Sequence, residues 1–160
     1  MDRNSIYYKQ VQLLMQVLPF VAKQECFALK GGTAINLFVR EFPRLSVDID
    51  LVYLPMKGRD AALQEISEAL DAISADLKAA FKDVELTEAY KSKRDALRLI
   101  VGRNGVQIKV ELSPVLCGTV YEPQMMEVCA AVEDEFGYAE VPVVALADLY
   151  AGKICAALDR

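Results

Sequence analysis

The sequence predicts an α+β fold, a mixed β-sheet flanked by helices. Residues 45–54 alternate apolar and polar as a half-buried strand does. Asn104-Gly105 separates two strand-like runs and is a strong two-residue hairpin signal. The order of elements is helix, short strand, helix, strand, helix, several strands, helix, which is not the strict alternation of a parallel α/β sheet. At 160 residues the chain fits one domain.

Each element has a local reason. Val11, Leu14, Met15 and Leu18 recur at helical spacing and predict an opening helix. Residues 26–30 are a short apolar run, read as a strand, and Gly31-Gly32 breaks it. Thr33 stands where an N-cap would, before a helix that Pro43 limits to about two turns. In the strand 45–54, Val47, Ile49 and Leu51 point one way and Ser46, Asp48 and Asp50 the other. Residues 59–81 carry Leu63, Ile66, Leu70, Ile73 and Leu77 on one helical stripe. Strands are expected over 84–90, 96–103 and 106–112, with Ser113-Pro114 ending the ladder. Residues 125–132 read as a further strand and 133–140 as a loop, and a final helix starts near Ala145.

Composition narrows the chemistry. The chain has no histidine and no tryptophan, which excludes imidazole-based triads and imidazole metal ligands. Catalysis, if any, falls to carboxylates, lysine, thiols, hydroxyls, backbone amides or a metal ion. Cys26, Cys117, Cys129 and Cys155 form no CxxC and read as buried free thiols. No apolar run reaches the roughly 18 residues of a membrane span, and no apolar stretch closely follows the start, so the expected location is the cytoplasm. The net charge is −5, yet Lys91, Lys93, Arg94, Arg98, Arg103 and Lys109 fall together against one acid, Asp95. Such a strip can steer one anionic ligand, or it is a solvated hairpin.

Three features make chemical sense together. Gly31-Gly32-Thr33 opens a helix, where glycines allow a phosphate to approach backbone N–H groups at the positive end of the helix dipole. Asp48 and Asp50 share one face of a strand, about 7 Å apart at Cα, and can converge on one hard cation such as Mg²⁺. Glu111 ends a face shared with Gln107 and Lys109, and becomes a third carboxylate if its strand neighbours that of Asp48 and Asp50. Each feature alone has an ordinary structural reading: a Gly-Gly turn, an exposed strand face, a solvated glutamate.

Residues 29–37, Leu-Lys-Gly-Gly-Thr-Ala-Ile-Asn-Leu, followed by Arg44-x-Ser46-x-Asp48-x-Asp50, resemble the AbiEii/AbiGii toxin-type nucleotidyltransferases of the DNA polymerase β-like superfamily. Residues 146–160 resemble the family's later lysine-bearing helix. The resemblance implies a nucleotidyltransferase-like sheet and transfer of an NMP from an NTP to an acceptor, with Mg²⁺ or Mn²⁺ as cofactor. It implies phosphate contacts from Gly31, Gly32, Thr33 and Lys153, metal binding by Asp48 and Asp50, and bracing or phosphate contact from Arg44 and Ser46. Glu111 matches the third carboxylate by its place on a later strand. Lys153 also falls on the apolar stripe of Leu146, Leu149, Tyr150 and Ile154, where a buried lysine needs an anion or must snorkel to solvent.

The resemblance further implies a toxin opposed by a cognate antitoxin, acting on tRNA or protein, with no membrane partner. The basic strip is then a contact for an RNA backbone. The family's helix continues into an Arg-Asp motif and further helices, whereas here no stop signal follows Leu158. The expected organisation of 1–160 is therefore one nucleotidyltransferase core domain without the family's C-terminal helical part. Two other readings stay open. One is a metal-dependent nuclease core, which wants an acid at Gln107 and leaves Gly31-Gly32-Thr33 unexplained. The other is a non-catalytic module that binds nucleotide or a partner.

Overall fold

The computed structural model describes residues 2–39 and 47–158. Its elements are α1 (Ile6–Ala22), β1 (Phe27–Lys30), α2 (Gly31–Ala34) running on into a π-helical turn (Ile35–Val39), β2 (Asp48–Tyr53), α3 (Arg59–Ala80), β3 (Glu85–Glu88), α4 (Ala89–Ser92), β4 (Arg98–Arg103), β5 (Val106–Cys117), β6 (Gln124–Glu127), α5 (Ala130–Phe136), β7 (Glu140–Val143) and α6 (Leu146–Leu158). The α+β expectation holds. Seven strands form one mixed sheet in the order β3-β4-β5-β2-β1-β7-β6. β2 pairs parallel with β5 and antiparallel with β1, and β1 pairs parallel with β7.

The period-2 pattern of β2 sets its orientation. Ile49 and Leu51 are buried, together with Val110 of β5 and Leu99 and Val101 of β4. They join one core with Leu14 and Leu18 of α1 and Leu70 and Ile73 of α3. That apolar layer covers one face of the sheet and leaves the carboxylate face of β2 outside it. Ser5 caps α1, its hydroxyl accepting from the Tyr8 N–H at 3.2 Å. In α3 all five stripe residues, Leu63, Ile66, Leu70, Ile73 and Leu77, are buried.

Several boundaries differ from the sequence reading. Thr33 is not an N-cap: the helical turn begins at Gly31 after extended Lys30, and Thr33 lies inside it, buried. The strand read over 84–90 stops at Glu88, where α4 turns Tyr90 inward to donate to Asp71 at 2.7 Å and Glu88 at 3.0 Å. Satisfying that buried hydroxyl outweighs the weak strand pattern. β5 does not end at Ser113-Pro114 but runs to Cys117. Its register against β2 shifts between Leu51 and Tyr53, a bulge that accommodates a proline in a ladder.

The strand read over 125–132 ends at Glu127, and of the loop read over 133–140 only 137–139 is irregular. α5 occupies 130–136 and stops at Gly137, whose φ of 98° is left-handed. Tertiary contacts hold it: Tyr8 packs on Phe136 with ring centroids 4.8 Å apart and donates to Glu135 at 2.7 Å. The expected buried thiols are also corrected. Cys26, Cys129 and Cys155 are free, but the first two are half-buried and Cys155 is exposed. Among the described residues, no helix is long and apolar enough to cross a membrane.

Leu70 is fully buried in the helix that backs the sheet. Leu70→Ala is expected to lower the unfolding free energy by about 2–5 kcal/mol, measured by urea denaturation; a loss below about 1 kcal/mol would contradict this packing.

Candidate active site

The strand pairing fixes the chemistry of one face. Asp48 lies opposite Lys109 and Asp50 opposite Glu111 across the parallel β2–β5 pair. On the other side of β2, Lys30 lies opposite Asp50. One strand further out, Arg98 lies opposite Glu111. Directly opposed residues share a face, so Asp48, Asp50 and Glu111 stand together with Lys30, Lys109 and Arg98. The condition set on Glu111 is met: its strand is the direct neighbour of β2.

The polar contacts follow. Lys109 Nζ is 3.9 Å from Asp48 Oδ2 and 3.6 Å from Glu111 Oε2. Arg98 Nη2 donates to Glu111 Oε1 at 3.3 Å. These groups are only half-covered, with Asp48 42% and Glu111 35% exposed at the side chain, so the pairs are solvent-screened. Asp50 is deeper. Burial chiefly, then the charges of Asp48 and Glu111, raise its pKa above the ordinary 3.8, against the opposing pull of Lys30 and Lys109.

The Gly-Gly-Thr turn is fastened to this strand. Gly31 has φ +77°, a left-handed conformation, and a Cβ there would come within 2.6 Å of Asp50 Oδ2. Glycine is thus required on two counts, backbone conformation and close approach. The Thr33 hydroxyl donates to the Asp48 carbonyl. The π-helical turn that follows is anchored through Leu37, whose carbonyl accepts from the Cys129 N–H at 2.8 Å. Gly31, Gly32 and Thr33 therefore sit at the edge of the carboxylate cluster, with Thr33 engaged by its hydroxyl to the strand itself.

The donor set suits a hard cation, since it is carboxylate oxygen with no thiol or imidazole. Among the described residues, no three acidic, thiol or imidazole side chains are close enough to hold an ion unaided. Mg²⁺ commonly takes one or two carboxylates and completes its shell with water and substrate phosphate. Asp48 and Asp50, backed by Glu111, would be the protein's share of such a shell. A cleft of about 240 Å³ lined by Lys9, Gln12, Gln16 and Arg103 lies between α1 and the β4–β5 hairpin, away from the carboxylates.

Other sequence expectations fare differently. Arg44 and Ser46 lie outside the described residues. Lys153 is not on a buried face: α6 presents Lys153 to solvent, and Leu146, Tyr150 and Ile154 are exposed too, with Leu149 the buried residue of that stripe. The basic strip is not a free cationic surface. Lys91 pairs with Glu88 and Asp71, Lys93 with Asp95, Arg94 with Asp60, Arg98 with Glu111, Arg103 with Asp83, and Lys109 with Asp48 and Glu111. Glu88 and Asp95, and Glu111 for Lys109, are sequence neighbours, whereas Asp48, Asp60, Asp71 and Asp83 come from farther along the chain. Lys30 and Arg98 are site neighbours that the sequence reading did not place. Arg98 was within reach, because a two-residue turn at Asn104-Gly105 fixes Arg98 against Glu111. Lys30 needed the β1–β2 pairing, which no local signal encodes.

The family model for the nucleotidyl transferase AbiEii toxins of type IV toxin–antitoxin systems matches residues 12–160. The chain belongs to the AbiEii family. No curated protein matches it closely enough to serve as a relative. A solved structure with a similar fold is MenT4, a nucleotidyltransferase toxin from Mycobacterium tuberculosis H37Rv, with a TM-score of 0.64 and 16% sequence identity. The alignment covers 96% of this AbiEii-family chain and 55% of that protein, so the chain spans little more than half the length of the structure it matches. In this AbiEii-family sheet the Gly31-Gly32-Thr33 turn and the Asp48–Asp50 strand meet through two local contacts, Gly31 against Asp50 and Thr33 on Asp48.

Two outcomes test this geometry. Gly31→Ala should lower Tm by several degrees, and adding Asp50→Ala should recover the part due to the close approach, leaving the strain of positive φ. Strict additivity in thermal melts would show that the two residues do not touch. The raised Asp50 pKa makes the folded state hold its proton to higher pH than the unfolded chain. The resulting penalty is absent below the ordinary value of 3.8 and grows as pH rises through the folded pKa. Asp50→Asn should therefore raise Tm by a few degrees at pH 7, with the gain fading towards pH 3.8 in circular dichroism melts; a gain confined to acid pH would reverse the sign.

Proposed function

We propose that this chain is the catalytic core of a nucleotidyltransferase toxin that transfers a nucleoside monophosphate from an NTP to an RNA or protein acceptor, opposed by a cognate antitoxin. The observation that carries this reading is the placement of Asp48 and Asp50 on β2 directly beside Glu111 on β5, with the Gly31-Gly32-Thr33 turn packed against the same strand. Family membership supports the NTP as substrate.

The residues have distinct tasks in this reading. Asp48 and Asp50 hold the cation, and Glu111 extends the carboxylate surface towards the acceptor side. Bound Mg²⁺ or Mn²⁺ supplies charge neutralisation for the triphosphate and lowers the pKa of an attacking hydroxyl. Gly31 and Gly32 leave room for phosphate oxygens near the backbone. Lys153 reaches the phosphates from α6 once nucleotide is bound. The buried Ile49 and Leu51 keep the carboxylates on a rigid strand.

One observation favours a second reading, a nucleotide-binding module without transfer activity: Lys153 is exposed and makes no ion pair among the described residues. Both readings require metal-dependent NTP binding; only the first requires transfer. Asp48→Asn is expected to reduce Mg²⁺-dependent NTP binding at least tenfold in isothermal titration, because it removes one anionic ligand. Labelled-NTP transfer to RNA or protein should be lost in the same variant. Metal-dependent NTP binding unaltered by Asp48→Asn would sink the assignment, and binding without transfer in the wild-type protein would select the second reading.

A further inference from the structure

The carboxylate face carries its own counter-ions. Asp48, Asp50 and Glu111 are matched by Lys30, Lys109 and Arg98, so the formal charge of the cluster cancels. Lys109 has the central place. Its ammonium lies 3.9 Å from Asp48 Oδ2 and 3.6 Å from Glu111 Oε2, between the two strands whose acids face the cation site. Arg98 holds the other oxygen of Glu111 at 3.3 Å. Lys109 and Arg98 are each about half exposed, so both side chains have room to swing away from the sheet.

A divalent cation entering this cluster meets no net negative charge and meets Lys109 against two of the acids. Entering alone, it must displace that ammonium into water and leaves the site with excess positive charge. Entering with a triphosphate, it brings the anion that the displaced ammonium and guanidinium can then bind. Like charges a few ångströms apart at half-exposed positions oppose each other by an amount on the order of a tenfold change in affinity.

Resting on the nucleotidyltransferase reading above, we infer that Lys109, aided by Arg98, is a positioning residue that couples cation binding to triphosphate binding. It holds Asp48 and Glu111 as a surrogate counter-ion in the empty site and moves to the triphosphate when nucleotide and metal arrive together. The site thereby resists filling by metal alone. Coupling of this kind is reciprocal, so nucleotide tightens metal binding by the same factor that metal tightens nucleotide.

The test is Mn²⁺ binding followed by electron paramagnetic resonance, with and without a non-hydrolysable NTP analogue, on the full chain. Wild-type protein should bind Mn²⁺ weakly alone and about tenfold more tightly with the analogue. Lys109→Gln should bind Mn²⁺ alone several-fold more tightly than wild type, and the gain from the analogue should shrink. Lys109→Arg keeps the charge and should keep wild-type coupling, which separates this role from a general effect of altering the strand. Circular dichroism of each variant verifies that the sheet is intact. If Lys109→Gln leaves Mn²⁺ affinity and its response to the analogue unchanged, while Asp48→Asn abolishes Mn²⁺ binding, this inference fails and the site assignment stands. If no protein binds Mn²⁺ in either condition, the site assignment fails and takes the coupling with it.

Discussion

Three carboxylates on adjacent strands repel one another, and holding them on one face is the constraint around which the sheet is arranged. The force that holds them is on the opposite face. Ile49 and Leu51 are buried between α1, α3 and the sheet, and turning β2 over would expose them and bury Asp48 and Asp50. A single buried aliphatic side chain contributes roughly 1.5–3 kcal/mol, so two such residues outweigh the modest repulsion between half-exposed acids. The repulsion is further offset in place by Lys30, Lys109 and Arg98, all brought there by pairing rather than by sequence proximity.

The Gly-Gly-Thr turn is as much a part of that strand as of its own helix. Gly31 lets the backbone pass against the Asp50 carboxylate, and Thr33 ties to the Asp48 carbonyl. Two short contacts thereby fix the separation between the turn and the strand that carries Asp48 and Asp50. The π-helical turn after Ala34 extends the same logic. Its Leu37 carbonyl accepts from the Cys129 N–H, tying the turn to the start of α5.

Legibility in the sequence followed the range of the interaction. The alternation through Val47–Leu51, the stripe of α3 and the Asn104-Gly105 turn are local, and each produced the element it signalled. Where a neighbour far along the chain decided the outcome, local pattern failed. Tyr90 left its strand to reach Asp71, α5 formed against Tyr8, and β5 crossed Pro114 by means of a bulge against β2. The basic strip is the sharpest case. Six cations close in sequence look like an anion site, yet each has an acid partner, and Asp48, Asp60, Asp71 and Asp83 reach theirs from elsewhere in the chain.

The sequence by itself determined the family and the elements whose signals are local, the Asp-x-Asp strand, the α3 stripe and the β4–β5 hairpin. The Asp-x-Asp strand and the Gly-Gly-Thr turn are readable because each lies within a few consecutive residues. Only the tertiary structure decided which groups share the face. Glu111 joins Asp50, Lys109 bridges to Asp48, and Lys153 stays at the surface, because strand order and register, set by burial of the opposite face, place residues that are far apart in the chain.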